Sequence, residues 1–242
     1  MEIKVLSIGN SFSQDAHRYL HGIAKADGVN MKCVNLFIGG CTLSMHYKNM
    51  ISDAKEYWLE FNGEVTGFKT TIKEALLSDD WDFITLQQAS YQSYSYDTYQ
   101  PYLQELAKYI RYHAPKSKLL LHQTWAYEQG SERLSSVGYE DQADMFRDLK
   151  AAYERAGEDI RADGIIPAGQ CLQNLLANGI QKVHRDTFHL DLGVGRYAVG
   201  LTWYGFLTRR SIRGNKFNEF DQPISEREIE IACTSAEQAL DR

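Results

Sequence analysis

Residues 2–14, EIKVLSIGNSFSQ, decide the fold. Ile3, Val5, Leu6 and Ile8 form a short apolar run rich in β-branched residues, the pattern of a strand buried on both faces of a parallel sheet. The run stops at Gly9-Asn10, and apolar residues at helical spacing follow: Phe12, Ala16, Leu20, Ile23 and Ala24. A strand that feeds straight into a helix puts Ser11 at the carboxyl end of a first strand, where open α/β sheets bind ligands. Gly9 is read as permitting a sharp turn. Ser11 and Gln14 also have capping-box spacing, so a purely structural role for Ser11 as N-cap competes with a chemical one.

The same alternation continues along the chain. Met31 to Phe37, Trp81 to Leu86, Lys118 to His122 and Gly164 to Pro167 read as further core strands. Between them lie helical patterns over Leu43 to Ala54, Tyr102 to His113 and Tyr139 to Ala156, with later helices from Gly169 to Ala177 and Val194 to Leu207. Ser225 to Glu228 forms a capping box that opens a C-terminal helix over about 225–240. Asn62-Gly63 between two β-rich runs is a strong hairpin signal, so residues 56–69 read as an inserted two-stranded flap. Residues 129–138 read as a surface excursion. The expectation is α/β: one domain over residues 1–242, a three-layer, flavodoxin-like, doubly wound parallel sheet of about five strands with an inserted β-hairpin.

Composition narrows the function classes. The chain has 242 residues with 26 Lys and Arg against 32 Asp and Glu, a net charge of −6. That balance argues against nucleic acid as a partner, which calls for a basic face. No apolar run reaches the roughly 18 residues of a membrane span, so no membrane partner is expected. The start leads directly into a core strand without a secretory leader, which predicts a cytoplasmic protein unless a leader was removed. The four cysteines, Cys33, Cys41, Cys171 and Cys233, lack CxxC spacing, so neither a metal nor a disulfide scaffold is expected. No cofactor is implied.

On the predicted sheet edge, a serine becomes a nucleophile when a histidine accepts its proton and a carboxylate orients that histidine. Asp186-Thr187-Phe188-His189 offers both, since three-residue spacing in a tight turn lets a carboxylate reach its own imidazole. His184 is a rival base without such a carboxylate. The Ser11 N–H, opening a helix, is the first candidate oxyanion donor.

These residues resemble the SGNH hydrolases, the GDSL-like esterases. Gly9-Asn10-Ser11 is similar to the family's Gly-Asp-Ser block, with asparagine in place of aspartate, and Gly40-Cys41-Thr42 to its Gly-x-Thr. Asp186-x-x-His189 matches the last block. The resemblance implies a Ser11, His189, Asp186 triad and an oxyanion donor at Gly40. The usual Gly-x-Asn-Asp is missing; Leu86-Gln87-Gln88-Ala89-Ser90 looks more like the version in some carbohydrate acetylesterases, placing Gln88 as the third oxyanion donor. Gln87, one residue earlier, faces the other side of its strand. It is nonetheless counted with Asn10, Tyr91, Trp125 and His46 among residues expected near substrate.

A cluster of tyrosines from Tyr91 to Tyr102, with Trp125 and Tyr127, suits a sugar face. The expected partner is a small-molecule or oligosaccharide ester, with homodimer formation open and the Trp58 hairpin a lid or a dimer arm. The alternatives are a flavodoxin-like binding module and an SGNH-shaped domain without activity.

Overall fold

In the computed structural model, which describes residues 2–240, the opening run is the central strand of the molecule. The strands are β1 (Ile3–Gly9), β2 (Met31–Phe37), β3 (Tyr57–Phe61), β4 (Glu64–Thr70), β5 (Phe83–Leu86), β6 (Lys118–His122) and β7 (Gly164–Ile166). They form one sheet in the order β4-β3-β2-β1-β5-β6-β7. Neighbours from β2 across to β7 are parallel, which gives the five-stranded doubly wound core expected from the sequence. Alternation along β1 sends Val5 to one face, while Leu6 and Ile8 join the cluster on the other.

The helices are α1 (Ser11–His17), α2 (Leu20–Ala26), α3 (Leu43–Ser52), α4 (Ile72–Leu77), α5 (Tyr102–His113), α6 (Glu132–Ser136), α7 (Gln142–Ile160), α8 (Ala168–Ala177), α9 (Val194–Thr208) and α10 (Glu226–Ala239). On one face of the sheet, α1, α2, α8, α9 and α10 close a core around Phe12, Leu20, Tyr197 and Trp203. On the other, α3, α4, α5 and α7 cover Leu6, Ile84, Leu106 and Tyr153. A fully buried aliphatic side chain contributes about 1.5–3 kcal/mol, so both layers hold the sheet strongly. α9 is buried nearly all round, as its uninterrupted apolar sequence predicts.

Several boundaries differ from the sequence reading. The first helix is two helices, and the break falls where the carbonyls of His17 and Arg18 come against Gly63, whose missing Cβ makes room for them. The helix expected from Tyr139 instead starts after Asp141, whose side chain accepts from the Ala143 N–H at 2.8 Å. The 129–138 excursion contains α6. The hairpin turns at Asn62-Gly63 with φ of 52° and 85°, as a type I′ turn requires. It is not a free flap: β3 pairs antiparallel with β2 and widens the sheet to seven strands.

The connections after β1 and β5 leave the sheet in different directions, because β2 lies on one side of β1 and β5 on the other. This switch point opens a crevice at the strand carboxyl ends. The loops after β1, β2 and β5 all reach it.

Candidate active site

α1 begins at this crevice, and its cap decides what Ser11 can do. The N-cap is Asn10, not Ser11: the Asn10 Oδ1 accepts from the Phe12 N–H at 3.0 Å, and Asn10 and Ser13 close a capping box. Capping by the preceding residue leaves the Ser11 hydroxyl uncommitted to the helix. It lies 2.8 Å from His189 Nε2, and His189 Nδ1 lies 2.7 Å from Asp186 Oδ2. The other Asp186 oxygen accepts from the His189 backbone N–H at 2.9 Å. Burial works against charge on Asp186, but the hydrogen bonds from the His189 ring and backbone outweigh it and hold the carboxyl below its ordinary range. An ionised carboxylate can only accept, so Nδ1 carries the ring proton and Nε2 accepts from the Ser11 O–H. Gly9 serves this turn by close approach: a Cβ there would lie 2.3 Å from Ser13 Oγ.

The turn carrying His189 is irregular but tied through its backbone. Thr187, β-branched, sits at φ 77°, a left-handed conformation such residues avoid. The Thr187 carbonyl accepts from the Glu128 N–H at 2.8 Å, the Phe188 carbonyl from Trp125 Nε1 at 2.8 Å, and the His189 carbonyl from the Arg185 N–H at 2.9 Å. The Leu190 N–H donates to Asp15 Oδ2 at 3.1 Å. Asp15 is four residues beyond Ser11, one turn further along α1, so Ser11 and the His189 turn share an anchor. Its fully buried carboxylate also accepts from Arg185 Nη1 at 3.0 Å and from Arg196 Nε and Nη2 at 2.9 and 2.7 Å. Arg196 continues to Asp221 at 2.6 Å, and Asp221 to Arg18. No local spacing announces this chain of charges, and the sequence reading missed it.

Ser11 and His189 lie in a cleft of about 490 Å³ whose walls include Phe12, Gln14, Phe37, Gly40, Ser90 and Tyr91. The Ser11 N–H is among the donors a helix cannot satisfy itself. Gly40 has φ 63°, and a Cβ there would meet nothing within 4 Å, so backbone conformation and not space favours glycine. Tyr91 reaches the same rim, its hydroxyl donating to the Gly40 carbonyl at 3.3 Å.

Other expected site residues lie elsewhere. Gln88 is fully buried, and its Nε2 donates to the Thr98 carbonyl and hydroxyl at 3.1 Å while Oε1 accepts from Leu43 N–H and Ala89 N–H. That amide has no N–H left for an oxyanion; Ser90 and Tyr91, two and three residues on, are the members of this loop that line the cleft. Gln87 links the interior, donating to Asn10 Oδ1 at 2.7 Å and accepting from His122 Nδ1 at 2.7 Å. Asn10 touches the cleft, but its amide is taken by Gln87, Phe12 and the Cys41 carbonyl. Trp125 is fully buried, stacked on Phe12 at 4.3 Å, and supports the His189 turn from behind. His46 is buried against Tyr57, and burial pushes its pKa down to about 3. His184 is buried on the Ala126 carbonyl, its pKa pushed down to about 4 mainly by burial. Most of the tyrosine cluster packs inward, Tyr99 on Tyr153 and Tyr94 on Tyr139. Two arginines, Arg133 and Arg185, complete the cleft wall and were not expected there.

Among the described residues, no three His, Cys, Asp or Glu side chains gather as a metal site, and no helix is long and apolar enough to cross a membrane. A family model described as a domain of unknown function, DUF4886, matches residues 4–239. The chain belongs to the DUF4886 family. It is similar to a DUF4886 family protein from Bacteroides uniformis ATCC 8492, at 37% identity over 99% of this chain and 95% of that one, with a TM-score of 0.94. At lower identity the DUF4886 fold is that of SGNH hydrolases. A Slackia heliotrinireducens protein assigned to that group shares 19% identity over 84% and 98% of the two chains, with a TM-score of 0.62. A catalytic mutant of Axe2, an acetylxylan esterase from Geobacillus stearothermophilus, shares 14% over 88% and 97%, with a TM-score of 0.55. No curated protein matches the sequence.

Proposed function

We propose that this DUF4886 protein is a serine esterase that removes short acyl groups, O-acetyl above all, from a carbohydrate. The observation that carries this reading is the chain of contacts from Ser11 Oγ to His189 Nε2 at 2.8 Å and from His189 Nδ1 to Asp186 at 2.7 Å. Ser11 Oγ attacks the ester carbonyl carbon as His189 Nε2 takes its proton. The N–H groups of Ser11 and Gly40 stabilise the oxyanion that forms. His189 then delivers the proton to the leaving alcohol oxygen, and the acyl group stays on Ser11. Water repeats the sequence: its proton passes to His189, its oxygen attacks the acyl carbon, and the proton returns to Ser11 as the acid leaves. Asp186 keeps Nδ1 as the donor and stabilises the imidazolium at each stage.

The mixture of aromatic and polar walls in the cleft supports a sugar. The fold shared with Axe2, an acetylxylan esterase, points the same way. The test is hydrolysis of p-nitrophenyl acetate with Ser11→Ala beside the wild type, and labelling of Ser11 by a fluorophosphonate. Loss of a nucleophile held in a triad costs on the order of 10⁶ in kcat where it has been measured. A Ser11→Ala enzyme as fast as the wild type ends the reading.

A further inference from the structure

The charge around the cleft is one-sided. Two guanidinium groups stand on its wall, and no carboxylate side chain does. Arg185 is committed to Asp15 and to the Leu190 carbonyl at 2.5 Å. Arg133 is different. It is exposed, its side chain hydrogen-bonds the Tyr127 side chain, and none of the ion pairs among the described residues involves it. An exposed arginine is ordinarily a solvated surface charge, but this one is stationed on aromatic faces: its Cζ lies 3.9 Å from the Phe188 ring centre and 5.6 Å from that of Tyr127. The Phe188 ring centre is in turn 3.8 Å from that of His189. Ring faces attract a cation without neutralising it, leaving guanidinium N–H groups for a ligand.

The base beneath Arg133 is fixed. Ser131 caps α6 by accepting from the Leu134 N–H at 3.2 Å. Leu134 is buried, and Gln129 ties the segment to the start of α7 through the Gln142 N–H and the Glu140 carbonyl, both at 2.8 Å. A planar cation is thereby held one ring from the general base.

We infer that Arg133 reads a carboxylate on the substrate, so that the ester hydrolysed is borne by an acidic sugar of the uronic acid class. The planar fork of arginine matches the two oxygens of a carboxylate, which an ammonium on a flexible stem does not. Held there, the acid group would bring the neighbouring acyl ester over Ser11. The inference rests on the esterase reading above, and its test separates the two.

The probes are fully acetylated methyl glucuronoside and its carboxyl methyl ester, which differ only at the carboxyl group, ionised in one and masked by a methyl in the other, with released acetate as the readout. The quantity of interest is the ratio of kcat/KM for the acid to that for the methyl ester. Arg133→Met lowers this ratio about tenfold to a hundredfold, the value of a hydrogen-bonded charge pair, and Arg133→Lys lowers it less. An unchanged ratio overturns the inference, whatever happens to the individual rates. Binding of both probes to Ser11→Ala, where no ester is cleaved, gives an independent reading. The acid binds at least tenfold tighter than the methyl ester, and Arg133→Met removes the difference. Absence of that preference refutes the carboxylate subsite even if turnover is seen. The preference without any wild-type turnover supports the subsite and refutes the esterase.

Discussion

Asp15→Asn tests whether the buried charge network holds the His189 turn in register against Ser11. The substitution keeps the shape but removes the charge between Arg185 and Arg196, and it places an NH2 at one of the two oxygens that together accepted five hydrogen bonds from two guanidinium groups and the Leu190 N–H. Removing one partner from a buried charge pair costs about 3–5 kcal/mol. Arg196 retains Asp221, and Arg185 is 29% exposed, so water and the second carboxylate soften the loss. The lower end, about 3 kcal/mol, is expected, and at this chain length it lowers Tm by about 6–12 °C. The effect on activity is a separate quantity. The Leu190 N–H loses its charged acceptor, and Leu190 adjoins His189, so the 2.8 Å approach of Nε2 to Ser11 loosens. A displacement of about 1 Å costs up to 10²-fold in rate, so kcat should fall about tenfold to a hundredfold with KM little altered. Urea unfolding at pH 7 gives the stability, and initial rates on p-nitrophenyl acetate at a temperature where the variant is folded give the second number. A variant within about 0.5 kcal/mol of the wild type, where a loss of about 3 kcal/mol is expected, or a folded variant with undiminished kcat, would refute the reasoning.

Two further expectations follow from buried polar groups. Burial pushes His17, His46 and His122 down to about 3 and His184 to about 4, and one nitrogen each of His17, His46 and His122 meets no partner in the protein. The unfolded chain therefore binds protons that the native state excludes. Stability is greatest above the ordinary histidine range near 6.5 and is lost as pH falls from there towards about 3, at up to about 1.4 kcal/mol per pH unit for each excluded proton. Urea midpoints at pH 7 and pH 5 should differ by several kcal/mol in unfolding free energy, and equal values would show that these rings are not held neutral. Gln88→Leu orphans the N–H groups of Leu43 and Ala89 and the Thr98 carbonyl, a loss of about 3 kcal/mol from buried unsatisfied groups. The folded variant should keep kcat within a few-fold of the wild type; a drop of about 10²–10³ with intact stability would return Gln88 to the oxyanion hole.

The local half of this site is written in the sequence. A β-branched run ending in Gly-Asn-Ser before a helical period can do little but deliver Ser11 to a strand's carboxyl end, and Asp186 reaches His189 across a turn of three residues. Both are short-range facts of backbone geometry, and periodicity carries them. Polar pairing at long range is a different matter. Alternation reports that Gln87 and Gln88 face opposite ways, but not that Thr98 occupies one amide and His122 the other. The aromatic run after β5 reads as a sugar platform, yet rings fill whatever apolar space lies nearest, and most of them turned inward to α7 and its approach. Asp15 lies 170 positions from Arg185 and 181 from Arg196, and Arg133 enters the cleft from a stretch that reads as surface. Only packing the layers together decides which buried charges meet and which amides stay free, because a polar group's partner is chosen by proximity in space and leaves no period in the chain.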